Sequence, residues 1–204
     1  MNPASVMTKF SLIRHGMHDV VDHILVGRAA GVRLNTEGRE QARQIADSFN
    51  GERIDLVQSS PQMRARETAE PIARRLGLSI EVSAEIDELD TGAWTGRSFA
   101  ALNADPLWVL WNTRRGTARP PDGESMLELQ TRAVDHLNKI AASVPDGHAV
   151  LCSHAEVIRA IVLHALKLPL DEFHRVDIAP ATISTLAIDR GGAAVIALNR
   201  PVAS

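Results

Sequence analysis

Apolar and polar residues along this chain switch between two periods, and the switching predicts its elements. Phe10 to Ile13 is a short apolar run that ends abruptly at Arg14-His15-Gly16, as a buried strand does on entering a loop, and the loop continues to about Leu34. Beyond it the spacing turns helical, with Ala42, Ile45, Ala46 and Phe49 on one face, Thr36 as the expected N-cap and Gly51 as the stop. A second strand is expected over Ile54 to Gln58. Ser60 then reads as a cap with Pro61 at the first helical position, and Ala65, Thr68, Ala69, Ile72, Ala73 and Leu76 form a stripe that ends before Gly77.

A short strand at Ile80 to Val82 precedes an acidic, glycine-containing stretch from Glu85 to Gly96 and a tryptophan-bearing segment from Phe99 to Trp111, together expected to cover a site. Ser125 and Glu128 fit a capping box that opens a long helix with Ala133, Val134, Leu137, Ile140 and Ala141 on its inner face. A strand returns at Ala149 to Cys152, followed by a helix over about Glu156 to Leu166 that Pro169 stops. Alternating Ile183, Thr185 and Ala187, a Gly191-Gly192 turn and the run Ala194 to Leu198 predict a hairpin. Strands alternating with amphipathic helices specify an α/β fold: a three-layer α/β/α sandwich, its central sheet mostly parallel, with helices on both faces and a small helical and loop cap. The expected organisation is one domain over residues 1–204 with a cap-like insertion at about 85–124.

Composition narrows the setting. With 45% hydrophobic and 23% charged residues the chain is globular in character, and a formal net charge of -3 argues against a broad nucleic-acid footprint. Ala149 to Leu168, the most apolar stretch, is broken by His154, Glu156, Arg159 and His164, so no membrane span is expected. Cys152 is the single cysteine, which excludes an intramolecular disulfide and, with no secretory signal read in Met1 to Ser11, makes a cytoplasmic setting the expectation. Met7 is an alternative start.

In α/β folds ligands gather beyond the carboxyl ends of the strands, where both Arg14-His15-Gly16 and Ser153-His154 fall. A neutral imidazole at His15 can attack phosphorus. Phosphate monoesters repel nucleophiles, so such a site needs guanidinium groups, and Arg14 and Arg64 are the candidates. Arg64 lies in the first turn of its helix, where the dipole also favours an anion. The leaving alkoxide needs a proton, for which Glu88 is chosen from the neighbouring Glu85, Asp87 and Asp90 because burial beside phosphate raises a carboxyl's proton affinity. His154, once protonated, supplies a further charged hydrogen bond. His18, Arg28 and Ala155 complete the candidate substrate contacts. A metal cluster of His15, His18 and His23 is disfavoured, since no cysteine pair accompanies it; Trp94, Trp108 and Trp111 read as packing or cap residues.

Arg14-His15-Gly16 after a strand, Ser59-Ser60-Pro61-Gln62-Met63-Arg64-Ala65 with Thr68-Ala69, the Glu88 to Gly96 loop and Ser153-His154 occur in the order typical of the histidine phosphatase family, which includes the cofactor-dependent phosphoglycerate mutases. The chain resembles that family from about Lys9 to Leu198. The resemblance implies a phosphohistidine at His15, phosphate contacts from Arg14, Arg64 and His154, proton transfer by Glu88, and no metal or organic cofactor. Pro120-Pro121-Asp122-Gly123-Glu124-Ser125 and the compact length look like the small phosphatase branch, so the expected activity is hydrolysis of a small phosphorylated molecule. The alternatives are a mutase, to which a carboxylate-binding pair Arg114-Arg115 would point unless that pair is solvated surface charge, and a silent phospho-ligand-binding protein. Three places depart from the family pattern. Met17-His18 replaces an acidic residue followed by Thr or Ser, Val21 stands where a phosphate-binding Asn is frequent, and Ala155-Glu156 replaces a glycine pair, which narrows the site or adds a carboxylate. The closing hairpin offers a sheet edge through which a homodimer can form.

Overall fold

The structure, a computed structural model, describes residues 7–202. The expectations for Met1 to Val6 lie outside them. Six strands, β1 (Thr8–Arg14), β2 (Leu56–Ser59), β3 (Ile80–Val82), β4 (His148–Ser153), β5 (Thr182–Asp189) and β6 (Gly192–Pro201), form one sheet in the order β3-β2-β4-β1-β5-β6. β1 to β4 run parallel, whereas β5 is antiparallel to β1 and β6 to β5, so the sheet is mixed: a parallel body with the expected hairpin on one side. β6 is an edge strand, as the hairpin reading required, and carries the exposed Ile196.

The two-residue period of the central strands divides their side chains between two cores. Phe10 and Leu12 of β1 and Ala149 and Leu151 of β4 face one core, which α5 (Met126–Ser143) and α6 (Ala155–Ala165) cover. Ile13, Val150 and Cys152 face the other, beneath α1 (Thr36–Ser48) and α2 (Met63–Leu76). This is the three-layer sandwich. Cys152 is an inert member of its core, because burial pushes its thiol pKa up. Two short helices, α3 (Phe99–Leu102) and α4 (Pro106–Trp111), belong to the expected covering segment, and their Trp108 and Trp111 pack against Trp94 with ring centroids 5.3 and 5.7 Å away. The three tryptophans are packing residues continuous with the first core. Among the described residues no helix is long and apolar enough to cross a membrane.

Two expected caps are revised. The N-cap of α1 is Asn35, whose side-chain oxygen accepts the Gly38 N–H at 2.8 Å, while Thr36 already lies within the helix. α2 begins at Met63, its cap position is Gln62 with no side-chain cap, and the Ser60 hydroxyl accepts the Gln62 N–H at 3.2 Å ahead of the helix while donating to Asp87. Pro71 inside α2 removes one rung of the ladder without ending the helix, which continues to a left-handed Gly77. The capping box of α5 forms as expected: the Ser125 hydroxyl accepts the Glu128 N–H at 3.2 Å and the Glu128 carboxylate accepts the Ser125 N–H at 2.9 Å. Ser125→Ala is therefore expected to lower the unfolding free energy by about 1 kcal/mol, read as a shifted urea midpoint with unchanged slope.

Candidate active site

Because β1 to β4 are parallel, their carboxyl ends share one edge of the sheet, and each delivers functional groups there. β1 leads into His15, β2 into Ser60 and the first turn of α2 with Arg64, β3 into Asp87 and Glu88, and β4 into His154. The ladder extends one step past the strands, His15 N–H donating to the Ser153 carbonyl at 3.0 Å and Ser60 N–H to the Cys152 carbonyl at 2.9 Å. Backbone register thus fixes the spacing of groups that are far apart in sequence. Gly16 serves close packing: a Cβ there would meet the Gly38 carbonyl of α1 at 2.7 Å, and one on Gly38 would meet the Met17 carbonyl at 2.1 Å. Its N–H donates to the Thr68 hydroxyl at 3.1 Å.

His15, Arg64 and His154 are buried side by side. His15 Nδ1 lies 2.9 Å from the Gly16 carbonyl, which can only accept, so the proton resides on Nδ1 and the lone pair on Nε2. Arg64 Nε–H donates to that Nε2 at 3.3 Å. Burial, with Arg64, Arg14 and His18 acting in the same direction against the Gly16 hydrogen bond, holds the His15 pKa well below its usual 6.5. The ring is a free base at neutral pH, the form that can attack phosphorus. On the other side, Arg64 Nη2 lies 3.3 Å from His154 Nδ1 and 2.9 Å from the Gly27 carbonyl, to which it donates. His154 Nε2 meets the Ser60 hydroxyl at 2.7 Å, and that hydroxyl donates to Asp87 Oδ1 at 3.0 Å, so Nε2 carries the proton. His154 is here a neutral ring, because burial, Arg64, His15 and Arg14 all lower its pKa; the sequence reading placed its protonated form beside a bound phosphate.

Glu88 joins this group, its Oε2 3.6 Å from His154 Nδ1. Burial raises its carboxyl to about 7, against the pull of Arg64, the Leu89 N–H and Arg14 and with a contribution from Glu156. A carboxyl in that range donates or accepts a proton near neutrality. Its backbone is clamped. Arg28 Nε donates to the Glu88 carbonyl at 2.7 Å, Arg132 Nη2 to the Asp87 carbonyl at 2.8 Å, and Glu124 accepts from both guanidinium groups, at 3.1 Å from Arg28 and 2.6 Å from Arg132. Ser60, Asp87, Thr68, Glu124 and Arg132 are site residues that the sequence reading did not assign. All of these except Arg132 lie inside segments already noted in the sequence.

A cavity of about 110 Å³ is lined by Arg14, His15, His18, Arg64 and Glu88 at its charged end and by Val21, Ile24, Val26 and Phe99 elsewhere, with Asp22, while the fully buried His154 does not line it. Larger hollows of about 470 and 490 Å³ elsewhere are lined by no histidine. Of six buried side-chain nitrogens without a hydrogen-bond partner among the described residues, three belong to Trp94, Trp111 and Arg115, and the other three, Arg14 Nε, Arg64 Nη1 and His18 Nδ1, belong to side chains of the small cavity. Folded proteins pair nearly all such groups, so their concentration marks a binding site, and two being guanidinium nitrogens suits an anion. Arg14 is aimed by a 2.6 Å hydrogen bond from Nη1 to the Ile178 carbonyl. His18 stacks on His15 with centroids 5.3 Å apart, and its pKa falls to about 4, chiefly through burial and Arg64. Neither Arg28, held by the loop it clamps, nor Ala155, packed against the first core, lines the cavity. Among the described residues no group of three or more His, Cys, Asp and Glu side chains is placed to hold a metal ion.

The family model of the histidine phosphatase superfamily (branch 1) matches residues 10–201. The chain belongs to that superfamily. Glucosyl-3-phosphoglycerate phosphatase of Mycobacterium tuberculosis is 30% identical over 172 residues, covering 78% of this chain and 75% of the relative. An uncharacterized protein of the same organism is 29% identical over 201 residues, 96% of this chain and 98% of its own length. The native structure of the mycobacterial glucosyl-3-phosphoglycerate phosphatase superposes with a TM-score of 0.86 at 25% identity, covering 95% of this chain and 99% of that one.

Against this histidine phosphatase framework, one departure, Glu156, and one of the paired arginines, Arg115, acquire definite partners. Glu156 does not add a free carboxylate to the site. Although burial pushes its pKa up, ion pairs with Arg115 and Arg159, each 2.7 Å long, outweigh this and hold it at about 2. Arg115 is neither solvated charge nor an open carboxylate clamp: its guanidinium is buried 3.5 Å from the Trp111 ring centroid and 3.9 Å from that of Phe173. The protonation states have a direct reading. In the ligand-free protein, ¹⁵N NMR is expected to show His15 and His154 as neutral, non-titrating rings between pH 6 and 8, with the proton on Nδ1 of His15 and on Nε2 of His154; imidazolium signals in that range would contradict the arrangement.

Proposed function

We propose that this histidine phosphatase hydrolyses phosphate monoesters of small metabolites through a phosphohistidine at His15, with Glu88 as the proton donor. One observation carries the reading: a buried, neutral imidazole whose Nε2 lone pair faces Arg64, with a carboxyl of pKa about 7 in the same cluster. The named phosphatase among the relatives supports hydrolysis. The chain is taken as one catalytic domain over residues 1–204, its segment 85–124 carrying the acid and covering the site.

In the first half-reaction His15 Nε2 forms a bond to phosphorus as the ester P–O bond breaks, and the leaving oxygen takes the Glu88 proton. Arg14 and Arg64 hold the phosphoryl oxygens and neutralise charge that develops on them. In the second, the Glu88 carboxylate takes a proton from water, the hydroxyl oxygen bonds to phosphorus, and the N–P bond breaks to return His15 and release phosphate. His154 hydrogen-bonds the transferring group, and an anion arriving beside it favours its protonated form. Tautomers suit this sequence, since the Gly16 carbonyl keeps the proton on Nδ1 and the nucleophilic lone pair on Nε2.

Brief mixing with radiolabelled aryl phosphate followed by a denaturing quench is expected to leave acid-labile, base-stable label on His15, and none on His15→Ala, whose hydrolysis rate falls by at least about 10³-fold. A fully active enzyme that never carries the label would refute the covalent step. Added bisphosphate should leave the rate unchanged, which separates hydrolase from mutase.

The pH dependence follows from the same groups. Glu88 must hold its proton for the first step, so turnover limited by that step should decline as pH rises through about 7. His15 is a free base far below its usual 6.5, so no loss from protonating it is expected until well under that value. Glu88→Gln should abolish the alkaline decline while lowering the rate; an unchanged profile would remove Glu88 from its role.

A further inference from the structure

The entrance to the cavity is as particular as its floor. Val21, Ile24 and Val26 come from the loop after β1, and Phe99 opens α3 in the covering segment. The two segments are joined by backbone hydrogen bonds, Leu25 N–H to the Arg97 carbonyl at 2.9 Å and Phe99 N–H to the His23 carbonyl at 3.2 Å, and by a bridge between Ile24 and Ser98. The apolar side chains are therefore held in place around the opening. Val21, Ile24 and Phe99 are only partly buried, so they present apolar surface to whatever enters.

The charges of the lining are arranged one way. Its only arginines, Arg14 and Arg64, are at the phosphate end, and no lysine lines the cavity. The remaining ionisable lining residue outside that end is Asp22, exposed at the loop tip with φ 63°. Arg28, Arg97 and Arg115 do not line the cavity and are paired elsewhere, Arg28 to Glu124 and the Glu88 loop, Arg97 to Asp105 at 2.8 Å and Arg115 to Glu156, and Arg114 does not line it either. Once a phosphoryl group occupies Arg14 and Arg64, a second anion on the alcohol portion meets Asp22 and an apolar wall.

The geometry points to a substrate class: phosphate monoesters whose alcohol portion is uncharged and presents an apolar or aromatic surface beside the ester oxygen, packed against Val21, Ile24 and Phe99, with carboxylated alcohols disfavoured by Asp22. This deepens the phosphatase reading and rests on it. Desolvating an apolar group against a fixed wall lowers the free energy of the bound and transition states alike, whereas a carboxylate there loses water without gaining a partner.

The test uses the intact protein and three alkyl phosphates of similar leaving-group chemistry: 2-phenylethyl phosphate, its ring-carboxylated derivative, and glycerol 1-phosphate. The expected kcat/KM is highest for phenylethyl phosphate, by about 100-fold over the carboxylated partner. Asp22→Asn, which keeps a residue tolerant of positive φ, is expected to narrow that ratio by about 3-fold. Phe99→Ala should reduce the preference for phenylethyl over glycerol phosphate. Each ratio is taken within one preparation, so it does not depend on the fraction folded. Equal rates, or a preference for the carboxylated or glycerol ester in the unmodified protein, would overturn the inference while leaving phosphatase activity intact. Ratios unmoved by both substitutions would overturn the assignment of the wall and Asp22. If no ester is hydrolysed in a His15-dependent way, the phosphatase reading itself fails and this inference falls with it.

Discussion

The guanidinium of Arg64, buried between two imidazoles, sets the terms for the rest of the site. A buried cation is costly unless its donors are used, and this one spends Nε on His15, Nη2 on His154 and the Gly27 carbonyl, and keeps Nη1 unpartnered at the cavity. Its field acts on every neighbour that titrates. After burial it is the largest influence lowering the pKa values of His15, His18 and His154, and the largest opposing the rise at Glu88. Both buried rings are thereby kept neutral, one of them the proposed nucleophile, while the carboxyl lies near 7. Lysine could supply charge at this position but not the fork of donors that reaches both rings.

Such a cluster demands positional control, and the sheet provides most of it. Parallel pairing puts the ends of β1, β2, β3 and β4 at one edge, and the extra ladder bonds at His15 and Ser60 carry the register into the loops. Glu88 follows the shortest of these strands at some distance, so register alone does not place it. The link through Arg28, Glu124 and Arg132 does, by gripping main-chain carbonyls of Asp87 and Glu88 from the β1 loop and from α5. The cap segment is joined at the same place: Gly92, with φ 51°, lets the acid loop pass so near Pro121 that a Cβ would meet its carbonyl at 2.0 Å. The acid is held by backbone on one side and by a charged bridge on the other.

What could be read from the sequence divides along a physical line. Periodicity reports burial, so the strands, the stripes of α1, α2 and α5, and the hairpin were legible, as was a capping box that needs only two residues three apart. His15, His154 and Arg64 were legible because each follows a strand end by a short fixed interval. The neutral state of His154 was not, since it depends on Arg64 and on a hydroxyl from another segment. Ser60 resembled a cap because caps and buried hydroxyl relays use the same residue, and choosing between Asn35 and Thr36 requires knowing where the backbone turns helical. The partners of Arg28 and Arg115 were not legible for a common reason: an arginine's role is set by the carboxylate it meets, here Glu124 and Glu156, each many residues away in sequence.

The same line separates chemistry from selectivity. Groups that touch the phosphoryl end are tied to strand ends and to one another, so altering any of them disturbs the protonation of the rest. The apolar wall stands apart from that electrostatic web: Val21, Ile24 and Phe99 carry no charge and sit on a loop and a short helix joined by a few backbone hydrogen bonds. On the proposed reading, exchanging them changes what packs beside the ester oxygen while leaving Arg64, the two imidazoles and the clamped carboxyl in their mutual balance. His18 is the exception that links the two regions, being both stacked on His15 and part of the cavity lining. A substitution there reaches the proposed nucleophile and the cavity lining together, which makes it the position where a change of specificity and a change of the chemical step are hardest to separate.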